Sequence, residues 1–262
     1  MIRLRNSPFT SHEMDRALDL LSRAIKKSDI LMAVAPIRYI SFGGAVSVKV
    51  FQSRESTEDI DILLDPSVES VAIYHDEIRR AISAAATKGN YESDWFSDAC
   101  RLFIAESKRS KLFQKSLQQN VVLYKSESLV IYAASFDCAL ERKLRRLDSN
   151  LADRDHSVDL SDAVSLVHAL RRTHPLRKDY VQSLDLNECR VPIHPSLVDL
   201  VASEYFLKHH QLGIVEMTWH EETQCYTYTN QKGEVSFVPR YLNSLNDERD
   251  ARNNAGYVFT FK

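Results

Sequence analysis

Thr10 and Glu13 stand ahead of Met14, Leu18, Leu20, Leu21 and Ile25, apolar positions that recur about every 3.6 residues. The pattern predicts an amphipathic first helix with a capping box, ending near Lys27. Pro36 then opens an extended run, Ile37 to Phe42, read as a strand, and Gly43-Gly44 ends it. The next segment, AVSVKVF from Ala45, predicts a short helix, and RESTE a polar loop. Asp59 to Leu64 reads DIDILL, a second strand stopped by Asp65 and Pro66. A long helix is expected from about Val68 to Ala86, before Gly89 and Asn90.

The second half of the chain is richer in helical patterning. A helix is expected near Ser110 to Gln119. Val121–Tyr124 and Leu129–Ala134 flank the polar turn KSES and predict a hairpin. Ala139, Leu140, Lys143, Leu144 and Leu147 mark one helix, and Leu160, Ala163, Val164, Val167 and Leu170 another. Leu184 to Pro195 reads as a connector. A helix over Ser196 to His209 leads to a C-terminal hairpin, CYTYT and EVSFV around NQKG. The order of elements defines an α+β, or mixed α/β, fold with a small sheet covered by helices.

The 262 residues, 44% apolar and 27% charged, exclude a disordered or fibrous chain and leave room for one large domain or two small ones. A net charge of -2 argues against the broad basic footprint of a nucleic-acid binder, leaving only a local patch. The N-terminus has no apolar core of signal-peptide length and no apolar run is long enough for a membrane span, so a cytoplasmic protein without a membrane partner is expected. Cys100, Cys138, Cys189 and Cys225 are widely spaced and read as four buried thiols. Glycine is scarce: six residues, where average usage of ~7% would give roughly eighteen. Two of the six are the adjacent pair Gly43-Gly44.

The pair gains meaning from the acidic strand fifteen residues further along the chain. Side chains alternate along a strand, so Asp59 and Asp61 point to one face and Ile60, Ile62 and Leu64 to the other. Two carboxylates on one face repel unless a cation neutralises them, the arrangement that holds Mg²⁺ against phosphates. The plainer reading is a half-buried edge strand with a wet outer face. A strand that turns through glycine into a helix directs free backbone N–H groups toward one point, a natural phosphate site, and Ser47 in the first turn can add a hydroxyl.

Strand, GG turn, helix and a strand bearing D-x-D, here SFGGAVSVKVFQSRESTEDIDIL, resemble the nucleotidyltransferase superfamily of the DNA polymerase β-like fold. RESTEDID is similar to the R-x-T-x-D-hydrophobic-D pattern of its small antitoxin-like and uncharacterised branch, with one extra residue between Arg54 and Thr57. ALERKL and VDLSDAV resemble two later helices of that family, so the likeness runs from about Ile37 to Leu170. It implies a nucleotidyltransferase-like domain over 1–135 and a helical domain with the C-terminal hairpin over 136–262. It also implies Mg²⁺ or Mn²⁺ on Asp59 and Asp61 as the catalytic and metal-binding pair, and an NTP bound by Gly43, Gly44, Ser47 and Lys143. The family carries a third carboxylate on the strand after the D-x-D strand. NVVLY, the expected counterpart, offers Asn120 and Val121 there, and Asp98, Glu106, Glu127 and Asp137 are the nearby acids.

Each assignment has a structural alternative. Lys143 is one of four basic residues in ERKLRR and can be a solvated face; Asp159 and Asp162 can cap and charge-match the next helix. Arg54 and Thr57 either position Asp59 or contact substrate. Trp95, Phe96, Phe103 and Tyr91 read as core, and the nine histidines fall into no metal-binding spacing. Three functions are therefore expected in turn: transfer of a nucleotidyl group from an NTP to a hydroxyl of a small-molecule or protein acceptor; nucleotide or protein binding without catalysis, since the third acid is out of register; and assembly through the C-terminal hairpin, which either pairs with a second copy as a homo-oligomer or covers the helical domain.

Overall fold

The computed structural model describes residues 8–148 and 156–239. The fold is mixed α+β, and its contacts divide it into two compact units, one running to Ser135 and the other beginning at Phe136. The end of the hairpin domain expected over 136–262 lies outside the described residues from 240 onward, as do the first seven residues of the N-terminal stretch read for a leader.

The first unit opens with β1 (Phe9–Thr10) and α1 (Ser11–Ile25). The capping box is present: the Glu13 amide donates to the Thr10 hydroxyl at 3.3 Å, and the Glu13 carboxylate accepts from the Thr10 amide at 3.2 Å. Met14, Ala17, Leu18, Leu21 and Ile25 of α1 are buried, as the spacing predicts. After α2 (Asp29–Met32) come β2 (Ile37–Ser41) and the helical segment α3 (Gly44–Val46), which widens into a π-helical turn over Ser47–Phe51. Next in the chain are β3 (Ser56–Thr57) and β4 (Ile60–Leu64).

The single helix expected over Val68–Ala86 is two: α4 (Pro66–Glu69) and α5 (Ala72–Gly89). Asp65 caps the Ser67 amide at 3.0 Å with Pro66 at the first helical position, where its missing N–H costs nothing. Val71 then turns extended and separates the two. The unit closes with β5 (Phe96–Ser97), α6 (Glu106–Gln119), β6 (Val122–Lys125) and β7 (Leu129–Ala133).

Five of these strands make one sheet, ordered β5-β4-β2-β7-β6. β2 runs antiparallel to β4, with Tyr39 opposite Leu64 and Ser41 opposite Ile62, and parallel to β7. β4 and β5 are parallel, with Ile60 beside Phe96. β4 is therefore interior, which overturns the edge-strand reading of DIDILL.

The second unit is built on α7 (Phe136–Leu147), α8 (His156–Arg171), β8 (Leu176–Arg177), α9 (Lys178–Gln182) and α10 (Pro195–His209). β9 (Ile214–Val215) pairs in parallel with β8. The C-terminal hairpin is a three-stranded antiparallel sheet of β10 (Thr218–His220), β11 (Cys225–Thr229) and β12 (Val235–Pro239). The extra strand, β10, is short and carries Trp219. Among the described residues no helix is long and apolar enough to cross a membrane.

Candidate functional site

The glycine turn is forced by its surroundings. Gly43 has φ +61° and ψ -131°, a backbone conformation that only glycine adopts readily. A β-carbon at Gly43 would lie 3.5 Å from Oδ2 of Asp61. Gly44 admits no side chain: its β-carbon would sit 2.7 Å from Cβ of Thr57 and 3.7 Å from a guanidinium nitrogen of Arg54. The turn thus brings together Gly43, Gly44, Arg54, Thr57 and Asp61, and Arg54 and Thr57 pack the turn itself. Asp61 is fixed through its main chain, where its carbonyl accepts from the Ser41 hydroxyl at 2.8 Å and the Phe42 amide at 3.1 Å. Every helix start leaves its first N–H groups without intrahelical acceptors, and α3 starts beside this carboxylate.

Asp59, just ahead of β4, and Asp61 within it are both half-buried on the same face of the strand. The Asp59 carboxyl is pushed up to about 6, first by burial and then by the negative charges of Asp61, Glu58 and Asp94. The field is that of an acidic cluster whose repulsion a cation would relieve. The third acid expected near NVVLY is not there, because β6 lies at the far edge of the sheet, beyond β2 and β7. Of the other candidates, Glu127 sits in the β6–β7 turn, by the start of β2 rather than its glycine end, ion-paired to Lys26 at 2.7 Å. Asp98 lines a cavity with Ile62 and Phe96, residues that point away from Asp59 and Asp61. Glu106 begins α6, and Asp137 belongs to the second unit, where it accepts from the Cys138 amide.

The acid that reaches Asp59 is Asp94, which sequence reasoning passed over. It precedes β5, a strand of two residues, too short to show alternation. No spacing signal marks it: Ile60 pairs with Phe96, so register sets Trp95, not Asp94, beside Asp59.

Two residues expected as nucleotide ligands have partners within the protein. Ser47 is buried, and its hydroxyl donates to the Gly43 carbonyl at 3.3 Å, tying the turn from inside. Lys143 is buried between two carboxylates of α8, 2.7 Å from Oδ1 of Asp159 and 2.7 Å from Oδ2 of Asp162. Arg146 adds a second cation 3.2 Å from Asp159. The solvated-face reading of Lys143 therefore fails, and Asp159 and Asp162 are partners of a buried ion cluster rather than only helix-start charges.

Glu141, Asp185 and Cys189 place three ligand atoms within 4.8 Å of one another. Their acceptors are already used. Glu141 accepts from Arg145 at 2.8 Å and from the Leu186 amide at 2.7 Å; Asp185 accepts from Arg145 at 3.1 Å and from the Cys189 and Arg190 amides at 2.6 and 3.0 Å. This is a staple for the 184–194 segment. Of the four thiols expected to be buried, Cys100 and Cys138 are; Cys189 is exposed and Cys225 partly so. Trp95, Phe96 and Tyr91 are core, whereas Phe103 is exposed. In the second unit His168 and His209 stack face to face, with ring centroids 4.5 Å apart, and His168 shares a 3.0 Å hydrogen bond with the Tyr205 hydroxyl.

The fold and turn define a mixed α+β protein with an acidic strand beside a glycine corner. A family described as a domain of unknown function (DUF7582) matches residues 45–212, more than half of the sequence, and the chain belongs to that family. The match takes in Asp59, Asp61 and Lys143 and begins just after the glycine pair. No curated protein and no solved structure matches the chain.

Proposed function

We propose that this protein is a nucleotidyltransferase-fold protein that binds a divalent-cation complex of a nucleoside triphosphate at the corner between β2 and β4. The observation that carries the reading is the approach of Gly43 to the Asp61 carboxylate, at the start of a helical segment, with Asp59 in the field of three other acids. The donor set fits Mg²⁺ or Mn²⁺: Asp59 and Asp61 are hard oxygen ligands on one strand face, beside a corner where Gly43 presents no side chain. Bound there, the cation would neutralise phosphate charge. Gly43 and Gly44 would let phosphate oxygens approach backbone N–H groups, and Arg54 and Thr57 hold that corner in shape. Transfer would join the hydroxyl of a small-molecule or protein acceptor to the α-phosphorus and release pyrophosphate, with Glu58 and Asp94 the further carboxylates in the field of Asp59.

Titration calorimetry with Mg-ATP and the other Mg-NTPs tests the binding. The parent should bind, and the double variant Asp59→Ala, Asp61→Ala should not; equal binding by the two removes the assignment. A second reading, binding without transfer, is favoured by the engagement of Lys143 with Asp159 and Asp162 and by the exposed position of Asp94. Incubation with labelled NTPs and candidate acceptors separates the two, since label transfer that disappears in the double variant eliminates the second.

A further inference from the structure

The opposite face of the same sheet carries a cavity of about 760 Å³. Strand register places Tyr39, Ile62, Leu64 and Phe96 on that face, and α5 adds Ile78 and Ile82. The volume lies within the roughly 300–1,000 Å³ of small-molecule sites; its sheet floor is apolar, and polar side chains, Arg79, Ser83, Asn90 and Asp98 among them, complete the lining. Some of the charges at the rim are spent on one another, while Arg79 has no ion pair among the described residues. Glu69 accepts from Arg101 at 2.9 Å and from Arg109 at 3.3 Å, and the Glu69 carbonyl meets the His75 ring.

Tyr39 is different. It is 1% exposed and its ring meets Phe96 edge-on at 5.1 Å. Its ionisation is disfavoured by burial and by the charge of Asp98, with no hydrogen bond contributing, and no acceptor for its hydroxyl is found among the described residues. The hydroxyl is not sealed off from the cavity, so a ligand that brings an acceptor gains a hydrogen bond there worth about 0.5–1.5 kcal/mol.

We infer that this cavity binds an aromatic small molecule carrying a hydrogen-bond acceptor, its ring on Tyr39, Ile62, Leu64 and Phe96 and its acceptor on the Tyr39 hydroxyl. The site is separated by the sheet from Asp59 and Asp61 and does not depend on the nucleotide reading.

The probe is quinoline, neutral at pH 7.5, followed by amide chemical shifts of the full chain. Saturable shifts should centre on α5, β4 and β5, and Ser83→Trp at the cavity lining should abolish them. Tyr39→Phe should weaken quinoline about tenfold, the worth of one hydrogen bond. Naphthalene, the same shape without the acceptor, should bind parent and Tyr39→Phe alike. Absent or scattered shifts, equal quinoline affinity in Tyr39→Phe, or an equal loss for naphthalene overturns the proposal.

Discussion

Gly43 and Asp61 meet across the corner between β2 and β4, where a single methyl on Gly43 would rest in van der Waals contact, 3.5 Å, with the Asp61 carboxylate. Gly43→Ala should therefore do two things. It should cost about 1–3 kcal/mol, because φ +61° with ψ -131° is strained for any residue with a β-carbon. It should also weaken Mg-NTP binding by crowding the carboxylate. Gly44→Ala should destabilise by a separate route, collision with Thr57, and Thr57→Gly should recover part of the loss. Urea unfolding of the single and double variants reads both effects.

Asp59 gives the corner a pH signature. Its carboxyl ionises near pH 6 in the folded chain, against an ordinary value near 3.8. Cation binding needs the ionised form, so Mg-NTP affinity should rise as pH is raised through 6 and level off above 7. The sign for stability is the reverse. The folded state holds this proton more tightly than the unfolded state, so without cation the group favours folding more as pH falls from 6 toward 4. Asp59→Asn should flatten both trends; calorimetry and urea titrations at pH 5 and 7.5 check them.

Lys143 should behave as a structural cation. Lys143→Met leaves Asp159 and Asp162 buried without their shared ammonium, and breaking such a set by removing one partner costs about 3–5 kcal/mol. Thermal unfolding should show a large fall in midpoint. A variant as stable as the parent that has lost nucleotide binding would return Lys143 to the ligand role.

The stacked histidines give the second unit an acid sensitivity. His168 is held below its ordinary value by burial, then by Arg171 and Lys208; His209 by burial, then by His168, Lys208 and Arg171. Both folded values are depressed, so the unfolded chain takes up protons first. The packing they contribute is present above about pH 6.5 and lost as pH falls below it. Paired substitution, His168→Gln with His209→Gln, should reduce the loss of stability between pH 7.5 and 5.5, measured by urea unfolding.

The sequence announced the parts of this fold that rest on local physics. The capping box at Thr10 and Glu13, the alternation in DIDILL and the glycine stop at Gly43 each act within a few residues, and each stands where the pattern places it. What was hidden depends on pairing across the sheet. The two-residue β5 has no period of its own, so neither the interior position of β4 nor the approach of Asp94 to Asp59 could be read from spacing. Lys143 looked solvated because its four-residue basic neighbourhood is a surface composition; its partners arrive from α8, outside that window. The break at Val71 was likewise masked, since apolar periodicity continues through it while the backbone does not.

The segment from Leu184 to His194 has the composition of a connector and no regular structure, yet Glu141, Arg145 and Asp185 fasten it from within. It is a wall, not a hinge. Its Leu186, Cys189 and Arg190 amides should exchange with solvent as slowly as those of the neighbouring helices, and a protease seeking a linker should pass it by.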